Sequence, residues 1–177
     1  LEVLDQTATA MGARMLKQWL KNPLLHIEMI DQRLKAVEVL VKNLIVREEL
    51  TKILRGVYDL ERLISRVNYG NANPKDLLSM KQSLVQIPKI QNILKPLSGY
   101  FFNNVKEIKS LEWIQALLEN SIREDAPLTI REGGLIKSTY NKELAALTEI
   151  TTNSKSYLQK LEQREREKTG ISTLKIG

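Results

Sequence analysis

The sequence predicts an all-α fold: a multi-helix core domain with one long projecting lever helix and a small β-hairpin. Three observations lead there. Apolar residues recur at helical spacing along most of the 177 residues. Glycine and proline are scarce, 8 and 5 residues, and mostly fall between the periodic stretches. The stretch from Lys142 to Thr169 contains neither, which predicts a helix of about 40 Å. A 42% hydrophobic and 27% charged composition is that of a globular chain.

The elements follow in order. Met11, Met15 and Trp19 recur every fourth residue and predict a first helix over about Ala8 to Leu20, ended by Asn22-Pro23. Ile27, Ile30, Leu34, Val37 and Val41 share one face of a second helix reaching about Lys42. Asn43 is placed to break or bend the chain before Leu44–Leu54, and Gly56 allows a change of direction. Leu60, Leu63, Ile64 and Val67 resume helical spacing up to Gly70, a residue free to end a helix in the left-handed conformation. Asn73-Pro74-Lys75-Asp76 is a helix start, since Asn73 can accept an orphan N–H and Pro74 lacks one. Pro88 is expected to kink or interrupt that helix.

Pro96 to Asn104 reads as a loop, followed by a helix over about Val105 to Ser121. Leu128 to Ile136 reads as a β-hairpin turning at Gly133-Gly134. In the last helix, capped by Asn141 and stopped by Gly170, Leu144, Leu147, Ile150, Leu158 and Leu161 are expected to face a core. Beyond Leu161 it is wholly polar. Thr173-Leu174-Lys175-Ile176 reads as the start of a strand, and both ends of the sequence look cut, which predicts a piece of a longer protein.

Little here points to chemistry. There is no cysteine for a thiolate site, and His26 is the single histidine. No G-x-x-x-x-G-K-[ST] sequence offers a phosphate loop, so Gly133-Gly134 reads as a turn. Glu124 and Asp125 read as a charged helix end, and Trp19 and Trp113 as core residues. The net charge of +6 is compatible with nucleic acid nearby. Arg164, Arg166, Lys168 and Lys175 are the candidates for weak contacts with a DNA backbone, although the first three alternate with acids as on a solvated helix. No apolar run reaches the roughly 20 residues of a membrane span.

Several separated stretches together resemble the MutS family. Leu4-Asp5-Gln6-Thr7-Ala8-Thr9-Ala10-Met11-Gly12-Ala13-Arg14 looks like the family's L-D-x-T-x-T-x-M-G-x-R, and Asp59-Leu60-Glu61-Arg62 like its D-L-E-R. Asn73-Pro74-Lys75-Asp76-Leu77, Ile130-Arg131-Glu132-Gly133-Gly134 and Tyr140-Asn141-Lys142-Glu143-Leu144 follow in the expected order. Leu161-Glu162, Arg164-Glu165-Arg166, Thr169-Gly170-Ile171 and Thr173-Leu174-Lys175 resemble the entry into the clamp domain. His26 stands where relatives commonly carry an acidic cap.

The resemblance implies a core, or lever, domain over residues 1–170 and the start of a clamp domain over 171–177. It implies a parent that is a homodimeric, DNA-dependent ATPase using ATP and Mg, recognising mispaired DNA and recruiting a MutL-type partner in the bacterial cytoplasm, associated with the nucleoid. The fragment itself is expected to be no enzyme and to hold no cofactor, metal or catalytic residue. The alternative is a self-contained helical protein–protein interaction module.

Overall fold

The computed structural model describes residues 3–109, 111–171 and 173, Lys155 by its backbone alone. The described residues divide into two compact units, 1–135 and 136–177. The first holds α1 (Ala10–Lys21), α2 (Ile27–Lys42), α3 (Leu44–Leu54), α4 (Leu60–Asn68), α5 (Pro74–Leu94), α6 (Tyr100–Lys106) and α7 (Glu112–Ser121). The second holds α8 (Lys142–Thr152) and α9 (Ser154–Thr169). The all-α expectation stands.

In the first unit, α5 is the central element, touching α3, α4, α6 and α7. Its start is a reciprocal capping box. Asn73 Oδ1 accepts the Asp76 N–H at 2.9 Å, and the Asp76 carboxylate accepts the Asn73 N–H at 3.0 Å. The same carboxylate takes Arg66 Nη1 at 2.8 and 3.0 Å, which ties the end of α4 to the start of α5. α4 ends at Gly70, which takes φ +69° as expected. Pro88 does not interrupt α5, which runs unbroken to Leu94. The lost hydrogen bond is tolerated because the helix is anchored on both sides, by Leu84 and Leu94, both buried.

The stretch read as a loop contains a helix, α6, entered through Gly99 at φ +135°. It is separate from α7, so the single helix expected over Val105–Ser121 is two. The physical reason is the aromatic content of the stretch. Phe102 closes a buried cluster with Leu94 and Leu97, and half-buried residues of α2, α3, α5 and α6 pack around it. Gln91 Nε2 donates to the Val105 and Ile108 carbonyls at 3.2 and 2.8 Å, satisfying carbonyls at the end of α6.

Several apolar stripes face outward. On α2, Ile27, Leu34, Val37 and Val41 are all exposed by more than half, and Ile30 by 37%. Neither tryptophan is a core residue. Trp113 is 67% exposed, and Trp19 lies at the surface with the Arg33 guanidinium 3.6 Å from its ring centroid.

No residue from Leu128 to Ile136 is in a strand, Ile136 being a single bridge residue, so the expected hairpin does not form. Ile130–Glu132 is a 3-10 turn closed by Thr129 Oγ1 donating to Glu132 at 2.6 Å. Gly133 and Gly134 do take positive φ, 70° and 65°. Leu128 and Ile130 are exposed, and two β-prone pieces without a sheet to join have little reason to pair.

In the second unit, Asn141 caps α8 by accepting the Glu143 and Leu144 N–H groups. Gly170 ends α9 at φ +71°. Between them the helix expected to run unbroken is divided at Asn153, whose φ −109° and ψ 35° are not helical. Thr148, Thr151 and Thr152 each donate their hydroxyl to the carbonyl four residues back, a bond that bends and weakens helices. The ladder is bridged all the same, Asn153 N–H to Glu149 O at 2.9 Å and Tyr157 N–H to Asn153 O at 3.0 Å. The expected core face is only partly covered, with Leu144 and Leu161 half-buried. Leu147, Ile150 and Leu158 are exposed, and no described side chain of α9 is buried. The strand expected over 173–176 lies largely outside the described residues.

This packing predicts a contrast between residues that look alike in sequence. Phe102→Ala should cost about 3–5 kcal/mol, because it empties the centre of the buried cluster. Val37→Ala, on the exposed stripe of α2, should stay within about 0.5 kcal/mol. Urea denaturation of both variants checks this, and equal losses would show that the stripe is packed.

Candidate functional site at the Arg14 junction and the charged end of α9

The stretch before α1 is organised by short side-chain bonds. Thr7 donates its N–H and its hydroxyl to the Asp5 carboxylate, at 3.1 and 2.6 Å, and these bonds hold that carboxyl below its ordinary range. Thr9 Oγ1 then caps α1 by accepting the Gly12 N–H at 3.0 Å. A Cβ on Gly12 would stand 3.1 Å from that same oxygen and 3.3 Å from Thr7 Cβ, so the cap is tight enough to favour glycine there.

One turn on, Arg14 reaches 45 residues along the chain. Its Nη1 and Nη2 donate to the two oxygens of Asp59, each at 2.7 Å, in a bidentate fork. Its Nε donates to Glu61 at 3.0 Å, and Nη2 also contacts Glu61. Asp59 is the N-cap of α4 and accepts the Arg62 N–H at 3.3 Å. The Arg14 hydrogen bonds are the main reason the Asp59 carboxyl titrates below its ordinary range, and the same bonds raise the Arg14 guanidinium further above its own. Two stretches singled out separately in the sequence are thus one junction.

The three candidate DNA-contacting residues that are described, Arg164, Arg166 and Lys168, all lie on α9. Arg166 lies 3.7 Å from Glu162, and Lys168 lies 3.3 Å from Glu165, both pairs within α9. Arg164 is exposed, and Lys175 lies outside the described residues. Glu124 and Asp125, read as a charged helix end, are ion-paired: Asp125 with Arg123 at 2.6 Å and Glu124 with Lys81 at 3.6 Å. His26 stands at the N-cap of α2, exposed, and its side chain caps nothing. Among the described residues, no three His, Asp or Glu side chains gather as a metal-ligand set, and no helix is long and apolar enough to cross a membrane.

The junction makes a prediction about acid. A carboxylate with a lowered folded pKa contributes stability that is present above its unfolded pKa of about 3.9 and is lost as pH falls through the folded value. The stability difference between wild type and Arg14→Gln should therefore be constant from about pH 7 to pH 5 and shrink below about pH 4. Denaturant titrations across that range decide it. A difference that stays constant into strong acid would mean that Arg14 acts through packing alone.

Comparison with known proteins agrees with the motifs. Residues 1–166 match the family model described as MutS domain III. The chain is 43% identical, over its whole length, to the DNA mismatch repair protein MutS of Halothermothrix orenii. It is 45% identical to that of Geobacillus kaustophilus and 42% to that of Staphylococcus haemolyticus, again over its whole length. It spans about a fifth of the length of each of these relatives. With the helical fold and with the Arg14 and Asp59 stretches joined as described, the chain belongs to the MutS family of DNA mismatch repair proteins, in its domain III.

Proposed function

We propose that this chain is the structural and allosteric core, or lever, of a longer mismatch-repair ATPase, and that it couples the ATPase end to the DNA-embracing clamp without carrying chemistry of its own. The observation that carries the reading is α9. Its last two turns, Gln163–Thr169, are entirely polar, and no described side chain of the helix is buried. It is well formed all the same, with Thr169 Oγ1 bonded to Glu165 O at 2.7 Å and Gly170 as a left-handed cap. A helix without a buried side chain among its described residues that is nonetheless capped at its end suits transmission rather than stabilisation. The similarity of residues 171–177 to the entry of a clamp domain supports a domain boundary at Gly170.

On this reading the parent is a homodimer that recognises mismatched DNA, binds ATP with Mg, and recruits a MutL-type partner in the bacterial cytoplasm, associated with the nucleoid. ATP and Mg are held elsewhere in it, because the sequence has no phosphate loop and no set of metal ligands gathers among the described residues. Of the three candidates on α9, Arg164 is the strongest for a DNA-backbone contact, since Arg166 and Lys168 already face acids on their own helix.

Two outcomes are expected. Proline inside a helix removes a hydrogen bond and costs about 3 kcal/mol where the helix is packed. In this chain Glu165→Pro should lower helical signal yet leave the melting of the first unit unchanged, because α9 buries no described side chain. In the full-length parent the same change should leave DNA-free ATP turnover intact and abolish most of its response to DNA. An unchanged response would overturn the coupling role. Separately, Arg164→Ala in the parent should reduce the salt slope of DNA affinity by about one, read by fluorescence anisotropy at several salt concentrations. An unaltered slope would remove Arg164 from the DNA contacts.

A further inference from the structure

Every buried apolar side chain among the described residues lies between Leu63 and Ala126. None belongs to α1, and none of the half-buried residues packed on the Leu94–Leu97–Phe102 cluster does either. Two contacts centred on charged groups reach α1 from elsewhere in its unit. Arg14 forks onto Asp59 and touches Glu61, and the Arg33 guanidinium of α2 covers Trp19.

Both sides of the Arg14 joint are complete without it. α1 is capped by its own neighbour, Thr9, whose turn is braced by Asp5 and Thr7. α4 is capped by Asp59 through the Arg62 N–H. Opening the joint would therefore uncap neither helix. The joint is also within reach of solvent, since the Arg14 side chain is 42% exposed, so salt screens it.

We propose that α1 is a latched arm: it undocks as a unit when the Arg14–Asp59/Glu61 clasp opens, while the helices around α5 keep their packing. Once free, a helix of 12 residues is marginal in water and frays. The clasp thus sets whether the first helix is ordered against the body or detached from it, and ionic strength or a competing carboxylate shifts the balance.

Hydrogen exchange followed by mass spectrometry on the 177-residue chain tests this, with wild type, Arg14→Gln, Asp59→Asn and the double variant. Asparagine keeps the α4 cap while removing the charge. Protection of the α1 amides should fall about fivefold in Arg14→Gln, less in Asp59→Asn, which keeps the Glu61 contact, and no further in the double than in Arg14→Gln. Protection in α5 and α7 should not change. Raising salt from about 0.05 M to about 0.5 M should lower α1 protection in wild type and leave Arg14→Gln unaffected. Unchanged α1 protection in Arg14→Gln overturns the proposal. So does a loss that spreads to α5 and α7, or an α1 already unprotected in wild type at low salt.

Discussion

Ser83 lies near the middle of α5 with no exposed surface, and its hydroxyl makes two bonds at once. It donates to Ser79 O at 2.8 Å and accepts the Tyr58 N–H at 2.9 Å. Through the second bond the turn between α3 and α4 is fixed to the central helix. Asp59, the next residue along, is thereby held where Arg14 finds it. Further on, Arg66 closes α4 onto the Asp76 cap of α5. The first unit is thus a helix hairpin pinned to α5 by polar bonds, with a small apolar cluster farther along α5 at Leu94. A hydroxyl can serve as such a pin because neither of its bonds is left open. An alanine in its place would strand a backbone donor at the joint.

What could be read from the sequence was mostly local. Asn73, Gly70, Asn141 and Gly170 all stand at helix ends as their chemistry dictates, because a cap depends on neighbours within four residues. Faces were harder. Periodicity shows that Ile27 to Val41 share a side of α2, but not that anything within the chain covers that side. Lys142 to Thr169 lacked glycine and proline, and that absence hid a different breaker. Thr151-Thr152-Asn153-Ser154 is a run of residues whose side chains compete for backbone bonds. The short helix α6 was obscured by Pro96 and Gly99, which are loop residues, although Phe102 is what the core needed.

The Arg14 junction escaped sequence reasoning for a related reason. Its partners are 45 and 47 residues away, and no spacing rule links them. A signal was nevertheless present. Arg14 has no acid within four residues on its own helix, and Asp59 begins a helix whose other acid, Glu61, lies in the first turn. An unmatched cation in one recognised stretch and paired acids in another are an invitation to look for a contact. The α9 charges show the opposite case, since Arg166 and Lys168 find their acids one turn away.

Asn153 gives the second unit a mechanical character that an unbroken helix would lack. A uniform helical rod resists bending along its whole length, so a sideways load at one tip is felt at the other. Here resistance to bending is lowest at one residue, while the hydrogen bonds from Asn153 to Glu149 and from Tyr157 to Asn153 still run across it. Such a joint passes push and pull along its axis and absorbs sideways loads by flexing. On the coupling role proposed above, what reaches α8 from the charged tip of α9 is mainly displacement along the rod, with tilting filtered out at a cluster of threonine hydroxyls.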